Sequence, residues 1–241
     1  MEEKDSDLPL YLKAREYMLG KIQRMMPGNN QLEPENQLTA KLGISRETVR
    51  KAMSTLIQEG IITRKHGKGN FGHPAVTNLP MRIDINSDFR RMLTSLGYSV
   101  RSVRSEASAL PPSEGMLRRM PEASGSMVIR FDLEFFADGK LAIHGDVELL
   151  ESIVVLMPES GEYIDNMNEF LREHCTTESN HTTAWLMAEN AGLSGNLFGM
   201  KPNCALLCWE EIYYNLFDQK MGYIKIYFNP AIMDLSLLLQ F

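Results

Sequence analysis

The sequence that decides the fold is the stretch 42–52, Leu-Gly-Ile-Ser-Arg-Glu-Thr-Val-Arg-Lys-Ala. Gly43 ends a short helix that begins near Glu35, and Ser45 is placed to cap a third helix that runs to about Glu59. The apolar residues of this third helix recur at i, i+3, i+4 and i+7, as Val49, Ala52, Met53 and Leu56. Two helices that meet through a short glycine-containing turn predict a helix-turn-helix.

The flanking sequence extends this pattern in both directions. Upstream, apolar residues at helical spacing predict a first helix over 10–26, which Pro27-Gly28 ends. Downstream, residues 61–64 (Ile-Ile-Thr-Arg) predict a strand, residues 65–70 (Lys-His-Gly-Lys-Gly-Asn) a glycine-rich tip, and Phe71 a returning strand. The order of helices and hairpin predicts a winged helix-turn-helix domain.

Basic side chains lie where such a domain would meet double-stranded DNA. The exposed N-terminal turns of the third helix carry Arg46, Glu47, Arg50 and Lys51. A guanidinium fork matches the N7 and O6 acceptors of guanine in the major groove, and a Gly-rich tip with Lys and His can approach the backbone or minor groove. Each residue alone could be an ordinary solvated helix charge, but their joint placement with the wing favours DNA binding.

The runs 42–52 and 56–71 (Leu-Ile-Gln-Glu-Gly-Ile-Ile-Thr-Arg-Lys-His-Gly-Lys-Gly-Asn-Phe) resemble the GntR family of bacterial transcription regulators. The resemblance implies DNA contacts at Arg46, Thr48, Arg50, His66, Gly67 and Lys68. One departure precedes the second helix, where the family usually has Leu-Pro-Ser-Glu-Arg. Here Leu-Glu-Pro-Glu-Asn at 32–36 puts Asn36 where a DNA-contacting arginine is common.

Charge and composition divide the chain near Asn78. The net charge of -6 combines a basic part (12 Lys+Arg and 9 Asp+Glu over 1–78) with an acidic part (13 and 22 over 79–241). We therefore expect a DNA-binding domain over 1–77 and a second domain over 78–241, joined by a linker near 76–82. The three cysteines lack Cys-x-x-Cys spacing, which argues against a zinc site or a disulfide framework. With no membrane span or secretory pattern, a cytoplasmic location is expected.

The second domain is predicted to be α+β. Alternating runs at 127–136, 141–149, 206–217 and 222–228 predict strands, and 113–120 and 166–173 are helix-like. The sequence contains no Gly-rich phosphate loop, His-Glu-x-x-His or Gly-x-Ser-x-Gly motif, and His144, His174 and His181 have no metal-ligand spacing. No catalytic residue, metal site or cofactor is therefore expected.

The order of these elements resembles the UTRA effector-binding domain of the HutC subfamily, whose fold is similar to chorismate lyase. The resemblance rests on Leu96-Gly97-Tyr98, on the turn 137–140 between two strands, on Phe170-Leu171 and on the block 217–228. It implies an antiparallel-sheet domain that binds a small metabolite and a homodimer on a palindromic operator. Three hypotheses stay open: a ligand-responsive regulator, expected to be a repressor; a DNA-binding protein whose sensor domain holds no ligand; and a chorismate-lyase-like enzyme, the least favoured.

The hairpin around Asp138-Gly139 suggests a candidate ligand wall. A two-residue turn at Asp138-Gly139 would pair apolar with charged side chains, so we expect a three-residue bulged loop that pairs Leu133 with Ile143 and Phe131 with Gly145. One face would then be wholly apolar, forming either core or the wall of a ligand cavity.

The resemblance also bears on the effector. Phosphosugar-binding relatives place two arginines where this chain has Leu133 and Phe135, a sugar-binding acid where it has Gly145, and a hydroxyl residue where it has Lys225. A buried phosphate dianion needs charged donors, which an apolar wall does not supply. We therefore expect an effector other than a phosphosugar, bound by Phe131, Leu133, Phe135, Gly145 and Lys225. One cation facing an apolar wall would suit a carboxylate, although Lys225 would equally serve as a solvated strand lysine.

Overall fold

The computed structural model describes residues 9–26, 28–85, 88–162, 166–192 and 197–240. The chain forms two compact units, one comprising Met1–Asn86 with Leu235–Phe241 and the other Ser87–Asp234. Within the described residues, none of the helices combines the length and apolar character that a membrane crossing requires.

In the residues that the structure describes, the first unit has three helices followed by a two-stranded wing and a short fourth helix. Its elements are α1 (Leu10–Ile22), α2 (Glu35–Leu42), α3 (Arg46–Gln58), β1 (Ile62–Lys65), β2 (Gly69–Gly72) and α4 (Pro74–Thr77). Gly43 adopts a left-handed conformation (φ 64°) that ends α2, and its amide donates to Thr39 O. The first helix ends at Ile22, four residues earlier than its apolar spacing predicts, because the chain turns into a β-bridge between Met26 and Asn29.

The core of the first unit lies between α1, α2 and α3. All four apolar positions predicted for α3 are fully buried: Val49, Ala52, Met53 and Leu56. They pack with Ala14, Met18, Ile22, Leu38 and Ile62 in one cluster. Burying one face of α3 leaves the opposite face, with its basic residues, exposed.

The predicted linker lies inside the first unit. Its residues include Met81, which is buried, and Arg82, which forms a parallel β-bridge with Ser236. The guanidinium of Arg82 also donates to Glu59 O at the end of α3 (2.7 Å). The first unit therefore continues past the boundary expected at 77/78, since the C-terminal residues return to pack on it.

The described part of the second unit is an antiparallel sheet with three helices. Its helices are α5 (Phe89–Ser95), α6 (Glu114–Arg119) and α7 (Met167–His174), with short 3-10 turns at Pro121–Ala123 and Glu151–Ile153. Its strands are β3 (Val100–Arg104), β4 (Ser108–Leu110), β5 (Val128–Ala137), β6 (Lys140–Leu150), β7 (Gly161–Glu162), β8 (His181–Asn190), β9 (Ala205–Tyr214) and β10 (Lys220–Phe228). The order is β7-β3-β5-β6-β10-β9-β8, with β4 pairing β5. The predicted α+β architecture is confirmed.

The two faces of this sheet differ in polarity. One face of β5 presents Ile129, Phe131, Leu133 and Phe135, all buried. Helices α5 and α7 cover it through ring contacts between Phe89 and Phe135 (centroids 5.8 Å apart) and between Phe131 and Phe170 (5.3 Å). The other face of β5 and β6 carries Arg130, Asp132, Glu134, His144, Asp146 and Glu148. This division of the hairpin into an apolar and a polar face agrees with the sequence analysis.

The expected register of the β5–β6 hairpin is wrong. The turn has two residues, Asp138 (φ 48°) and Gly139 (φ 79°), and it pairs Ala137 with Lys140. A bulge between Phe135 and Phe136 then shifts the pairing, so that Phe135 lies opposite Ile143 and Leu133 opposite Gly145. Two residues with positive φ match the twist of the strands, and the bulge restores the apolar face.

Candidate functional site

An open groove of about 570 Å³ lies in the first unit between the start of α3 and the wing. It is lined by Gln31, Leu32, Pro34, Glu35, Asn36, Arg46, Arg50, Arg64, Lys65, His66, Gly67, Gly69 and Asn70. Side chains of α2, α3, β1 and the wing tip therefore share one surface.

Helix α3 presents arginines at its exposed N-terminal turns. Ser45 caps the helix by accepting a hydrogen bond from the amide of Thr48 (3.1 Å), which fixes where the first turn begins. Arg46 and Arg50 lie on the exposed side, with 64% and 56% of their side chains accessible. Four residues apart on a helix, they project from one face.

A single carboxylate organises the arginines of the groove. Glu35, at the start of α2, pairs with Arg50 (2.7 Å), Arg64 (2.9 Å) and Arg46 (3.4 Å), and its own side chain is 14% exposed. Burial alone would raise the pKa of the Glu35 carboxyl, but hydrogen bonds and charge from Arg50, Arg46 and Arg64 lower it. Three exposed guanidiniums are thus held together around one anion.

The wing extends from the same surface as an exposed basic hairpin tip. Strands β1 and β2 pair antiparallel, with Lys65 opposite Gly69. Gly67 has φ 70° and turns the chain between His66 and Lys68, both exposed. Gln31 anchors the tip by donating to Lys68 O (2.7 Å). The wing is therefore held to the body of the domain while its cations face outward.

The second unit contains a small cavity against the apolar face of its sheet. Its volume is about 40 Å³, well below the roughly 300–1,000 Å³ of typical small-molecule pockets. The lining residues are Asp88, Phe89, Leu133, Phe135, Ile143, Gly145, Asn166, Met167, Glu211, Tyr213, Ile224 and Ile226. In the described structure the cavity has room for a few waters or one small chemical group.

Comparison with known protein families assigns the first unit. Residues 22–71, which contain the turn, α3 and the wing, match the family model of bacterial regulatory proteins of the gntR family. The N-terminal unit is a gntR-type helix-turn-helix domain.

Sequence relatives match a little more than a quarter of this chain. The transcriptional regulator YurK of Bacillus subtilis is 37% identical over 67 residues, which cover 27% of this chain and 28% of YurK. The transcriptional repressor NagR of Bacillus subtilis is 37% identical over 73 residues, 28% of each chain. The chain therefore matches little more than a quarter of the length of these relatives.

A solved structure extends the likeness to the fold of the second unit. The crystal structure of YydK, a possible transcriptional regulator from Bacillus subtilis, superposes with a TM-score of 0.73 at 16% identity. The match covers 97% of this chain and 100% of YydK. At this identity the likeness is one of fold. The shared fold is a mixed α+β chain in which a gntR-type domain precedes an antiparallel-sheet domain.

Five predicted DNA-contact residues line the groove of the gntR-type domain: Asn36, Arg46, Arg50, His66 and Gly67. Lys68 lies beside them at the exposed wing tip.

The other three predicted residues lie outside that lining. Glu47 is exposed on the first turn of α3, Thr48 pairs its hydroxyl with that of Ser45 (2.7 Å), and the ammonium of Lys51 lies 4.3 Å from the ring of Tyr11.

The predicted effector residues divide into two sets. Leu133, Phe135 and Gly145 line the cavity, whereas Phe131 packs in the core against Phe170. The prediction that Lys225 belongs to the effector site is wrong for this cavity, because Lys225 is not among its lining residues.

Lys225 lies on the opposite face of β10, where its ammonium pairs with Glu189 and lies 5.2 Å from the ring centroid of Tyr227. Side chains alternate along a strand, so Ile224 and Ile226 face the cavity and Lys225 points away.

Sequence reasoning missed three residues of these sites. Arg64 and Glu35 line the groove. The basic residues at the end of β1 could have indicated Arg64 from the sequence. Glu211 lines the cavity. The run Trp-Glu-Glu-Ile on an alternating strand places adjacent glutamates on opposite faces, so one of the pair had to face the apolar side.

Proposed function

We propose that this chain is a transcriptional regulator that binds double-stranded DNA through the first turns of α3 and the wing. The observation that carries the proposal is the convergence of Arg46, Arg50 and Arg64 around Glu35 beside the exposed wing tip. Guanidinium forks on an exposed helix end suit guanine edges in the major groove, and Lys68 suits a phosphate. The match of residues 22–71 to the gntR family supports the same function.

The finer proposal is a repressor that binds a palindromic operator as a homodimer. A single helix-turn-helix contacts too few base pairs to locate one site in a genome, so two copies on an inverted repeat are expected. The relative NagR is named a repressor, which supports repression rather than activation. In this proposal the DNA-contact residues are Asn36, Arg46, Glu47, Thr48, Arg50, Lys51, His66, Gly67 and Lys68, with Arg64 added from the groove.

We further propose that the second unit, a UTRA-like domain of the HutC subfamily, binds an effector that changes operator affinity. The cavity beneath α5 and α7 is the candidate site, lined by Leu133, Phe135 and Gly145. A phosphosugar remains the disfavoured class. The cavity wall that follows β5 is apolar, and the lining residues that the structure describes include Asp88 and Glu211 but no basic side chain.

A second candidate is a DNA-binding protein without an effector. The observation that favours it is the small volume of the cavity, about 40 Å³. Thermal unfolding of the full chain against a panel of metabolites separates the two. A concentration-dependent rise in midpoint for any one class supports the sensor, and no rise for any member supports the alternative.

The DNA-binding proposal is tested by fluorescence anisotropy with labelled duplexes from the intergenic region next to the gene. Nanomolar binding to one duplex, with weaker binding to shuffled sequence, is the expected result. Equal affinity for native and shuffled duplexes would overturn sequence-specific recognition.

A further inference from the structure

The cavity of the second unit contains a carboxylate with no basic partner. Glu211 lies on the apolar face of β9, with Ile224 and Ala184 as its neighbours on the adjacent strands. The residue is 4% exposed. Its carboxylate accepts a hydrogen bond from Tyr213 Oη (2.7 Å), and no Lys or Arg in the described part of the chain lies within ion-pair distance of it. An anion placed there is poorly compensated.

The other buried carboxylates of the described structure are compensated. Glu210 accepts from Arg118 (2.8 Å), Arg119 (2.6 Å) and Tyr223 (3.0 Å). Glu148 lies 3.4 Å from Arg130 and accepts from the amide of Ser113 (2.9 Å). Among the three buried glutamates of the described residues, Glu211 is thus the exception, and it lines a cavity. This placement points to a ligand that supplies the missing donor.

The cavity lining favours a ligand with one polar end and one apolar end. Among the described lining residues, the titratable groups are Asp88, Glu211 and Tyr213, none of which carries positive charge. The remaining wall near Glu211 is mainly aliphatic and aromatic, including Phe89, Ile224 and Ile226. A volume of about 40 Å³ admits a small head group, so a longer body requires the lining side chains to move apart.

We propose that Glu211 anchors a cationic ligand, a primary ammonium or amidinium head carried on an apolar body. The inference rests on the proposed ligand-responsive function and names its ligand class. It replaces the carboxylate expected when Lys225 was assigned to the site. Charge pairing with a desolvated carboxylate would hold the head, and the apolar body would bury against the wall.

Burial supports the same assignment, because it raises the pKa of the Glu211 carboxyl to about 7, against a smaller lowering from the hydrogen bond of Tyr213. A bound cation favours the charged carboxylate, so binding near pH 7 releases protons. Calorimetry of the same titration in two buffers of different ionisation enthalpy would show this release as a difference in apparent heat.

The test compares ligands of one length on the full chain. Hexylamine, hexanoate and hexanol are titrated by calorimetry, with ethylamine and butylamine as shorter cations. We expect hexylamine to bind at least tenfold more tightly than hexanoate or hexanol, and affinity to rise with chain length. Equal or tighter binding of hexanoate would overturn the proposal, as would the absence of binding by every amine.

A matched pair of variants assigns the binding to this carboxylate. Glu211→Gln should weaken hexylamine binding at least tenfold, whereas Glu173→Gln, at an exposed position on α7, should leave it unchanged. Unchanged binding in Glu211→Gln would overturn the assignment. If Glu211→Gln does not fold, the ligand series on the wild-type chain still decides the proposal.

Fluorescence gives a local readout of the same site. The chain has two tryptophans, and Trp209 lies 5.6 Å from Phe89 of the cavity wall (ring centroids). In a Trp185→Phe background, hexylamine should shift the emission of Trp209, whereas a flat response at saturating amine would contradict occupancy of this cavity.

Operator binding measured on the same samples separates this inference from the proposed function. Specific DNA binding without amine binding would overturn the ligand class and leave DNA recognition standing. Amine binding that depends on Glu211 but leaves operator affinity unchanged would support the site and contradict its regulatory role.

Discussion

At the scale of single residues, the arginines of the groove carry the specificity expected of the molecule. Arg46 and Arg50 are exposed but form ion pairs with Glu35, so in the proposed function their guanidinium groups are oriented before DNA binds. Preorganised side chains lose less conformational freedom on binding than free ones. In the proposed mode of DNA binding, charge and ordering at these residues decide recognition more than burial does.

Replacing either arginine tests this directly. Arg46→Ala and Arg50→Ala should each reduce discrimination between operator and scrambled duplex by about 1–3 kcal/mol, the range for a bidentate arginine on guanine. Competition binding measures the ratio. Lys140→Ala, at an exposed position in the second unit, serves as the charge control and should match wild type. Operator footprints identical to wild type in both arginine variants would show that α3 is not the recognition helix.

Ionisation of Glu211 is expected to lower the free energy of unfolding as pH rises, the opposite of what a salt-bridged carboxyl does. Its pKa is about 7 in the folded chain against 4.5 for the ordinary carboxyl, so the unfolded chain gives up its proton first. The contribution of Glu211 to stability therefore falls as pH rises from about 4.5 to 7 and is constant above. Glu211→Gln removes this loss.

The expected result is a gain in unfolding free energy for Glu211→Gln over wild type that grows by roughly 2 kcal/mol between pH 5 and pH 8. Urea unfolding at several pH values measures it, with Glu173→Gln as the matched control. A constant difference between variant and wild type across this range would contradict the burial of an uncompensated carboxyl.

At the scale of elements, the sequence predicted five of the described helices (α1, α2, α3, α6 and α7) and the central strands, but not α4, α5 or the strands towards the sheet edges. Helix α3 has a strong apolar period and a capping serine, so its bounds differ from the prediction by a residue at most. Strand β8 (His181–Asn190) is an edge strand whose side chains are mainly exposed, and its sequence has no apolar alternation to indicate it. A strand shows an alternation of apolar and polar residues only when one of its faces is buried, so the sequence of an exposed edge strand does not show it.

The hairpin of β5 and β6 shows what sequence pattern determines and what it leaves open. The alternation of Leu133 and Phe135 with charged residues determined which face is buried, and this was predicted correctly. Two registers that differ by two residues satisfy the same alternation, and the turn geometry at Asp138-Gly139 with an internal bulge chooses between them. The assignment of Lys225 failed because the resemblance did not specify which strand positions face the cavity.

The wing is expected to bind the DNA backbone independently of the base sequence. Lys68→Ala should weaken binding to operator and scrambled duplexes by a similar factor. It should also reduce the slope of log affinity against log salt by about 0.9, the value for one lost phosphate contact. Anisotropy titrations at several salt concentrations measure both quantities. A loss confined to the operator would instead assign Lys68 to base recognition.

At the scale of the whole molecule, a basic domain of gntR type is joined to an acidic antiparallel-sheet domain. This charge asymmetry suits a chain in which one unit meets a polyanion and the other does not. The proposed division of labour is DNA recognition in the first unit, and ligand binding and dimerisation in the second.

The homodimer is expected to exist without DNA. Sedimentation of the full chain at micromolar concentration should give the mass of two chains, and operator binding should follow one dimer per inverted repeat. A single-chain mass at that concentration, with operator binding still intact, would contradict a preformed dimer and place association on the DNA.

The central claim, sequence-specific DNA binding through α3 and the wing, is tested most directly by selection of binding sites from a random duplex library with the full chain. We expect the wild-type chain to enrich one inverted-repeat sequence, and Arg46→Ala and Arg50→Ala to lose base preference at defined positions of each half-site. Failure of the wild-type chain to enrich any sequence, or enrichment of the same sequence with the same base preferences by both arginine variants, would contradict it.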